Sequence, residues 1–179
     1  MKPIEHLMQE HRRIEKVVDE LKLELQNQQR TQTPNTGKIM TAIDFFQTYA
    51  DLTHDGKEEN IFFAKLKDKE LSEEHKTLLT DLINDHEQAR LLVNQLKQQN
   101  ELYRKGEENI VHNMSNTIQK LTILYSEHIK KEEEHFFRSV MNNYFSKKDQ
   151  EKIINEFNEF DKKMIHKKYD GIIEHIQEL

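Results

Sequence analysis

The chain has 179 residues, with 27 Lys and Arg against 33 Asp and Glu, a net charge of −6 and no basic block, which argues against a nucleic-acid partner. It contains no cysteine, which excludes thiolate metal sites, disulfides and cysteine catalysis. No apolar run is long enough to span a bilayer and no signal-peptide core is present, so we expect no membrane partner and a cytoplasmic location.

The composition favours long amphipathic helices, because 35% of residues are hydrophobic and 34% charged, with only 4 Gly and 2 Pro. The predicted helices cover residues 4–29, 38–66, 73–103, 107–142 and 146–179. Four long helices with short connections predict an all-α protein with an antiparallel up-down four-helix bundle. We expect one domain, with the bundle in residues 1–145 and an additional C-terminal helix in residues 146–179.

The predicted fifth helix opens with Ser146 and Asp149, three residues apart, which resembles a capping box. It carries an apolar stripe of its own. The members of the stripe are Ile153, Phe157, Phe160, Met164, Ile172 and Ile176. We expect this stripe to pack across the bundle or against a second copy of the protein, as a homodimer.

A ten-residue phrase occurs twice in the chain. Residues 54–63 read HDGKEENIFF and residues 128–137 read HIKKEEEHFF, so both fit H-x-x-K-E-E-x-x-F-F. A fainter repeat pairs Glu10-His11 with Asp85-His86, each followed by apolar residues at matching positions. The chain is therefore interpreted as a duplicated unit, and a repeat that carries His and Glu suggests a symmetric metal site.

Helical spacing places several of these polar residues on the apolar faces of their helices. The candidate metal ligands are His11, His54, Glu58, His86, His128 and Glu132. Buried carboxylates are costly unless they are paired or ligated, and a pair of metal ions would both neutralise them and bind the imidazoles. Nitrogen and carboxylate ligands without sulfur suit iron, manganese or zinc. Without metal, we expect Glu58 and Glu132 to repel and at least one of them to bind a proton.

A single inward histidine is more often an ordinary core residue than a ligand, but here four helices each contribute one. Three further residues are left open as members of the site: Glu15, Glu133 and His135. We expect Glu15 to be solvated, and Glu59 and Glu133 to lie off the face, either at the surface or holding ligand imidazoles. His6, His75 and His112 are expected at the surface.

The pattern His11 … His54-x-x-x-Glu58 … His86 … His128-x-x-x-Glu132 resembles the hemerythrin-like (HHE cation-binding) family, over residues 1 to about 145. The resemblance implies a four-helix bundle that holds two non-haem iron ions, bridged by two carboxylates and an oxo or hydroxo group. It implies Glu58 and Glu132 as the bridges and the four histidines as terminal ligands. Manganese or zinc would be alternative metals.

Two departures separate the chain from the oxygen carriers of that family. The carriers have two histidines one turn apart on the third helix, whereas Leu82 and Arg90 flank His86 here. They also carry H-x-x-x-x-D on the fourth helix, where this chain offers Glu132 and Glu133 and the apolar stripe favours Glu132. Fewer protein ligands leave more open coordination positions, which favours redox chemistry on a small ligand over reversible oxygen carriage.

Three functions remain to be weighed. The first is a diiron module that binds oxygen for sensing, storage or delivery. The second is a diiron oxidoreductase that acts on oxygen, peroxide or nitric oxide. The third, a metal-free helical interaction protein, is disfavoured by the predicted buried carboxylates.

Overall fold

The computed structural model describes residues 2–177, apart from the side chain of His175, and this part of the chain contains helices and short connections with no strand. Helices α1, α3 and α5 are continuous α-helices that cover Pro3–Thr31, Glu73–Arg104 and Lys147–Gln177. Helix α2 spans residues 36–67 and helix α4 spans residues 111–144, and both contain π-helical turns. A short 3₁₀ turn, Glu108–Ile110, precedes α4.

The predicted helices are confirmed, with described ends that differ by at most two residues except at the start of α4, while the predicted end of the fifth helix at residue 179 lies outside the described residues. We expected that helix from residue 107, but the 3₁₀ turn delays it to Val111. The predicted capping box is also present, since Asp149 accepts from the Ser146 N–H at 3.0 Å and the Ser146 hydroxyl accepts from the Asp149 N–H at 3.2 Å.

The π-helical turns fall at matching places in the two repeated phrases. One covers Glu58–Phe62 and another covers Glu132–Phe136, so each begins at the first Glu of its phrase. A further π-helical segment, Phe46–Asp55, lies earlier in α2. A π turn adds one residue to the helical turn and is frequent at functional sites. Both members of each Phe pair after these turns are fully buried.

The interior consists of two apolar clusters with a polar layer between them. One cluster contains Ile14, Phe46 and Tyr125, and the other contains Leu7 and the two Phe pairs. Along α1, Leu7 belongs to the second cluster and Ile14 to the first, and His11 lies between them. The same order recurs on α2, α3 and α4. The buried His and Glu residues of these four helices therefore lie in one layer between the two clusters.

Helix α5 packs against α1 and α2, with Ile153 and Phe157 fully buried. Lys65 pairs with Glu156 at 2.9 Å, and further along Lys168 pairs with Asp44 at 3.2 Å. The distal part of the predicted stripe is exposed. Its exposed apolar side chains are Ile165, Tyr169, Ile172, Ile173 and Ile176.

None of the helices in the described residues is both long and apolar enough to cross a membrane.

Candidate metal centre

The polar layer brings together all six residues that the sequence analysis singled out. His11 comes from α1, His86 from α3, and each of α2 and α4 contributes a histidine and a glutamate one turn apart. None of the six is more than 5% exposed. The apolar residues at neighbouring positions on each helix bury this layer, which is the arrangement that the three- and four-residue spacing predicts.

These six residues form two overlapping groups of four. His11, His54, Glu58 and Glu132 offer ligand atoms that all lie within 4.8 Å of one another. Glu58, His86, His128 and Glu132 form the second group by the same measure. Because both glutamates belong to both groups, the layer contains two adjoining four-residue sites with shared carboxylates.

Glu58 lies between the two histidine pairs. Its Oε1 is 3.4 Å from His54 Nε2, and its Oε2 is 3.3 Å from His86 Nε2. Glu132 has the corresponding position on the other side, because its Oε2 is 3.1 Å from His11 Nε2 and 3.4 Å from His128 Nε2. Each carboxylate can therefore reach groups of both sites at once.

Six buried atoms of this layer lack a hydrogen-bond partner among the described residues. They are His11 Nε2, His54 Nε2 and all four carboxylate oxygens of Glu58 and Glu132. His86 Nε2 and His128 Nε2 face each other at 3.2 Å. Buried polar atoms are nearly always paired, and leaving them unpaired is costly. The donor set, nitrogen and carboxylate oxygen aimed at a common centre, fits a pair of metal cations.

The other ring nitrogen of each histidine contacts a carboxylate. Metal-bound histidines usually donate their second N–H to such a group, which fixes the ring and its tautomer. The four contacts are His11 Nδ1 to Glu133 Oε1 at 2.8 Å, His54 Nδ1 to Glu10 Oε2 at 2.9 Å, His86 Nδ1 to Glu59 Oε1 at 2.7 Å, and His128 Nδ1 to Asp85 Oδ2 at 3.3 Å.

Each of these outer carboxylates is in turn paired with a cation. The pairs are Glu133 with Arg12, Glu10 with Lys57, Glu59 with Arg90 and Asp85 with Lys131. Four histidine–carboxylate–cation chains therefore radiate from the layer. They explain the repeated phrase, in which the Lys neutralises an outer carboxylate, the first Glu enters the layer and the second Glu holds a histidine of another helix.

The second Phe of each phrase stacks on the histidine that the same phrase holds. The ring of Phe137 lies 5.7 Å from that of His11, with 15° between their planes. Phe63 and His86 are related in the same way, at 6.1 Å and 10°. The phrase in α4 thus builds the surroundings of His11 in the first half of the chain, and the phrase in α2 builds those of His86 in the second half.

Neighbouring charges shift the pKa values of two residues of the layer in opposite directions. Burial lowers the pKa of His11, but the carboxylates of Glu132 and Glu133 outweigh it and raise that pKa to about 10. Burial raises the pKa of Glu58, but the neighbouring His54 and His86 outweigh it and lower that pKa to about 2. These neighbours therefore favour the ionised form of Glu58, and the expectation that at least one of the two glutamates binds a proton stays a prediction.

The three residues left open by the sequence lie outside both groups of four. Glu15 pairs with Arg12 at 2.9 Å and is partly exposed, and the side chain of His135 is 62% exposed. Glu133 contacts the Nδ1 atom of His11 rather than entering the layer.

Two of the three histidines expected at the surface are largely buried. His75 contacts the Tyr144 hydroxyl at 2.8 Å, and His6 contacts Asp161 of α5 at 3.2 Å. His112 is exposed as expected. The sequence did not indicate that α4 and α5 supply contacts to these two histidines, from Tyr144 and Asp161.

Sequence reasoning also missed Asp55, which is only 3% exposed and lies beside the layer. Asp55 is the last residue of the π-helical segment Phe46–Asp55, and the residue after His54 received no role in the sequence analysis. Asp55 and Tyr125 line a cavity of about 140 Å³, together with Asp51 and Arg90.

Comparison with known proteins agrees with this geometry. The family model for the hemerythrin HHE cation-binding domain matches residues 2–140. Comparison with curated protein sequences finds no match. The family match covers most of the chain and includes the whole polar layer, so the protein belongs to the hemerythrin HHE cation-binding domain family.

Proposed function

We propose that the protein is a non-haem diiron protein that binds or reacts with a small ligand, namely oxygen, peroxide or nitric oxide. The observation that carries the proposal is the pair of four-residue groups that share Glu58 and Glu132. In this proposal His11 and His54 would hold one ion, and His86 and His128 would hold the other. Both ions would share the two glutamates. Manganese or zinc remain alternative metals.

The surroundings of the layer support this role. Bound iron would supply redox chemistry at coordination positions that the protein leaves open. The outer carboxylates hold each imidazole in one orientation, and the Phe pairs keep one side of the layer dry. The cavity beside Asp55 leaves ample room for a small ligand next to the layer.

A second candidate, a diiron oxidoreductase rather than a binding module, is favoured by the residues that flank His86. Leu82 is fully buried in the apolar cluster, and Arg90 is tied to Asp51 and Glu59, each at 2.6 Å. Neither side chain can therefore replace the second histidine that the oxygen carriers have on the third helix. Stopped-flow absorption on the reduced protein mixed with oxygen, peroxide or nitric oxide separates the two functions. A reversible spectral change supports binding, and turnover with an added electron donor supports an enzyme.

The stoichiometry of metal tests the central proposal. We expect about two metal ions per chain, iron when iron is supplied, by elemental analysis of purified protein. His86→Ala should lower the content, and His135→Ala should leave it unchanged because His135 is exposed. A wild-type protein that holds no metal, or one zinc ion per chain after growth in excess iron, would show that the proposal is wrong.

We also propose a single domain in which α1 to α4 form an antiparallel up-down bundle, as the short connections suggest, and residues 146–179 add the fifth helix. The exposed apolar side chains of α5 support a homodimer through that helix. Sedimentation equilibrium should then show a dimer that Ile172→Glu dissociates. A monomer at all concentrations would contradict the dimer without affecting the metal centre.

A further inference from the structure

A row of side-chain pairs between α2 and α3 leads from the surface to the polar layer. Three side chains of α2 at intervals of four residues face three side chains of α3 at the same interval. The pairs are Gln47 Nε2 with Asn94 Oδ1 at 3.3 Å, Asp51 Oδ1 with Arg90 Nε at 2.6 Å, and Asp55 Oδ1 with His86 Nε2 at 3.9 Å. These three pairs form a ladder across the two helices.

The ladder becomes more buried toward the layer. The side chains of Asp51 and Arg90 are 29% and 33% exposed, whereas those of Asp55 and His86 are 4% and 2% exposed. Every ladder residue except His86 lines the cavity of about 140 Å³. The cavity therefore extends from the surface of the bundle to the neighbour of a proposed metal ligand.

The inner end of the cavity lies at one of the two metal positions. His86 Nε2, which faces Asp55, belongs to the group of four that contains His128. Tyr125, one turn before His128 on α4, also lines the cavity. On the His54 side, by contrast, Lys57 is fully buried and contacts Asp161 of α5. The cavity thus approaches the ion that His86 and His128 would hold.

The polar groups of the cavity carry more negative than positive charge. Among the described residues that line it, two carboxylates, Asp51 and Asp55, stand against one guanidinium, that of Arg90. Arg90 already donates to two carboxylates, from Nε to Asp51 and from Nη2 to Glu59, each at 2.6 Å. An anion that enters the cavity would therefore meet a net negative potential, which a neutral molecule would not feel.

The apolar walls of the cavity act in the same direction. Phe46, Ala89 and Val93 line it and are buried, and the ring of Phe46 stacks on that of Tyr125 at 4.7 Å. Moving an anion from water to such walls costs hydration that they do not replace, whereas a small neutral molecule loses little.

We propose that the small ligand reaches the centre through this cavity, at the ion held by His86 and His128, and that the charge of the cavity selects neutral ligands over anions. This proposal rests on the proposed dimetal function and adds a route and a ligand class to it. Oxygen, nitric oxide and hydrogen peroxide are neutral and belong to the favoured class. Small anions such as azide are disfavoured.

Azide and nitric oxide are the probes for the test, because both are small and only azide is an anion at neutral pH. Azide is mixed with the oxidised iron-loaded protein and nitric oxide with the reduced protein, and association is followed by stopped-flow absorption. Asp51→Asn removes one of the two cavity carboxylates. It should accelerate azide association about tenfold and leave that of nitric oxide unchanged.

Asp44→Asn is the matched control, because it removes the same charge from the same helix at an exposed position, where Asp44 pairs with Lys168 at 3.2 Å. It should bind azide as wild type does. Equal azide rates in wild type and both variants overturn the proposal. A protein that holds no iron, or that holds iron and binds neither probe, contradicts the proposed function instead.

The salt dependence of azide association keeps the test valid if Asp51→Asn does not fold. Salt screens repulsion, so azide association in wild type should accelerate with ionic strength, and that of nitric oxide should not change. Gln47→Lys, at the outer pair of the ladder, should abolish the acceleration, while Asp44→Asn should keep it. Equal acceleration in these two variants, or none in wild type, overturns the proposal.

The route is tested by filling the cavity. Ala89→Leu places a larger side chain in the lining and should slow the association of both probes at unchanged iron content. Ala42→Leu is the control, because Ala42 is similarly buried in the same apolar cluster but lies outside the lining. Association rates that do not differ between these two variants would show that the ligand arrives by another path, and the proposal would be wrong.

Discussion

Glu132 and Glu133 are neighbours in the sequence, yet their carboxylates do different things. Glu132 is fully buried between His11 and His128, whereas Glu133 reaches around His11 to its Nδ1 atom and pairs with Arg12. Glu58 and Glu59 repeat this division on α2. The difference between a shared carboxylate and an orienting carboxylate is therefore set by one step along the helix.

This division predicts unequal losses of metal. Glu132→Gln should empty or disorder both metal positions, because the carboxylate belongs to both groups of four. Glu133→Gln should keep both ions and weaken metal affinity by roughly 10- to 100-fold, as loss of a histidine's partner usually does. Elemental analysis and chelator competition measure the two effects.

Glu134→Gln is the control for that pair, since Glu134 is exposed and lies outside the layer. It should change neither metal content nor affinity. If Glu133→Gln lost both ions while Glu132→Gln kept them, the assignment of the two residues would have to be exchanged.

At this scale the sequence predicted which histidines share a level, because a period of three and four residues fixes the face of a helix. It left Glu59 and Glu133 as surface groups or as partners of ligand imidazoles, and the structure shows the second. It did not predict Arg90 and Arg12 as their supporting cations, since such contacts depend on where a neighbouring helix lies.

At the scale of an element, α5 completes one of the four chains. Lys57 is fully buried and contacts Glu10 and also Asp161 of α5, the latter at 2.6 Å. Gly56 permits the approach, because a Cβ atom there would lie 2.9 Å from Cζ of Phe160. The corresponding Lys131 stays partly exposed, with 28% of its side chain accessible. Helix α5 therefore seals the His54 side of the layer only.

The same network makes stability depend on pH. A hydrogen bond to Asp161 and another to Glu10 raise the pKa of His6 to about 9, against the opposing effects of burial and Lys57. The folded state thus holds this proton more tightly than the unfolded chain, whose histidine pKa is about 6.5. The stabilisation is complete below pH 6.5 and is lost as pH rises to 9, at most about 3 kcal/mol.

Asp161→Asn should remove most of that dependence. Urea unfolding at pH 6.5 and at pH 9 should show a loss of stability in wild type and a smaller loss in the variant. Asp170→Asn, an exposed change on the same helix, should behave as wild type. If the variant kept the full pH dependence of wild-type stability, Asp161 would not be the cause of the raised pKa of His6.

The helices themselves were predictable from breakers and caps, and their ends agree closely. The π-helical turns were not predictable, because a shift of one hydrogen bond does not change the spacing of apolar residues in the sequence. Only the burial of both Phe residues of each pair, seen in the structure, reveals it. The burial of Asp55, at the end of the π-helical segment Phe46–Asp55, was not predicted either.

At the scale of the whole molecule, a polar layer lies between two apolar clusters, and the proposed metal ions would stabilise it. Metal that binds only the folded state stabilises it by mass action. A verified metal-free protein should melt ~10 °C or more below the metal-bound form, which corresponds to ~4 kcal/mol for a chain of this size. Differential scanning calorimetry before and after chelation measures the shift.

The double variant Glu58→Gln with Glu132→Gln controls for effects of the chelator. Its melting temperature should not respond to chelation, because it has no shared carboxylates to hold a metal pair. Equal melting temperatures for metal-bound and metal-free wild type would show that the layer is stable on its own.

The repeat predicted a two-fold arrangement of the layer, and the groups of four have it. The repeat could not predict that each half orients a histidine of the other half, since contacts such as Glu133 with His11 join positions far apart in the chain.

These contacts between the two halves limit how the sequence can change. After a duplication, the two copies would ordinarily be free to diverge. Here the orientation and stacking of His11 are encoded in the second copy, and those of His86 in the first. The residue that orients His11 lies more than a hundred positions away in the sequence, and the residue that orients His86 lies about thirty positions away. Neither half can therefore be replaced by that of a related protein unless the other half is replaced with it. The two halves are therefore constrained to change together at these positions, whereas other positions of the two phrases differ, such as Asp55 and Ile129.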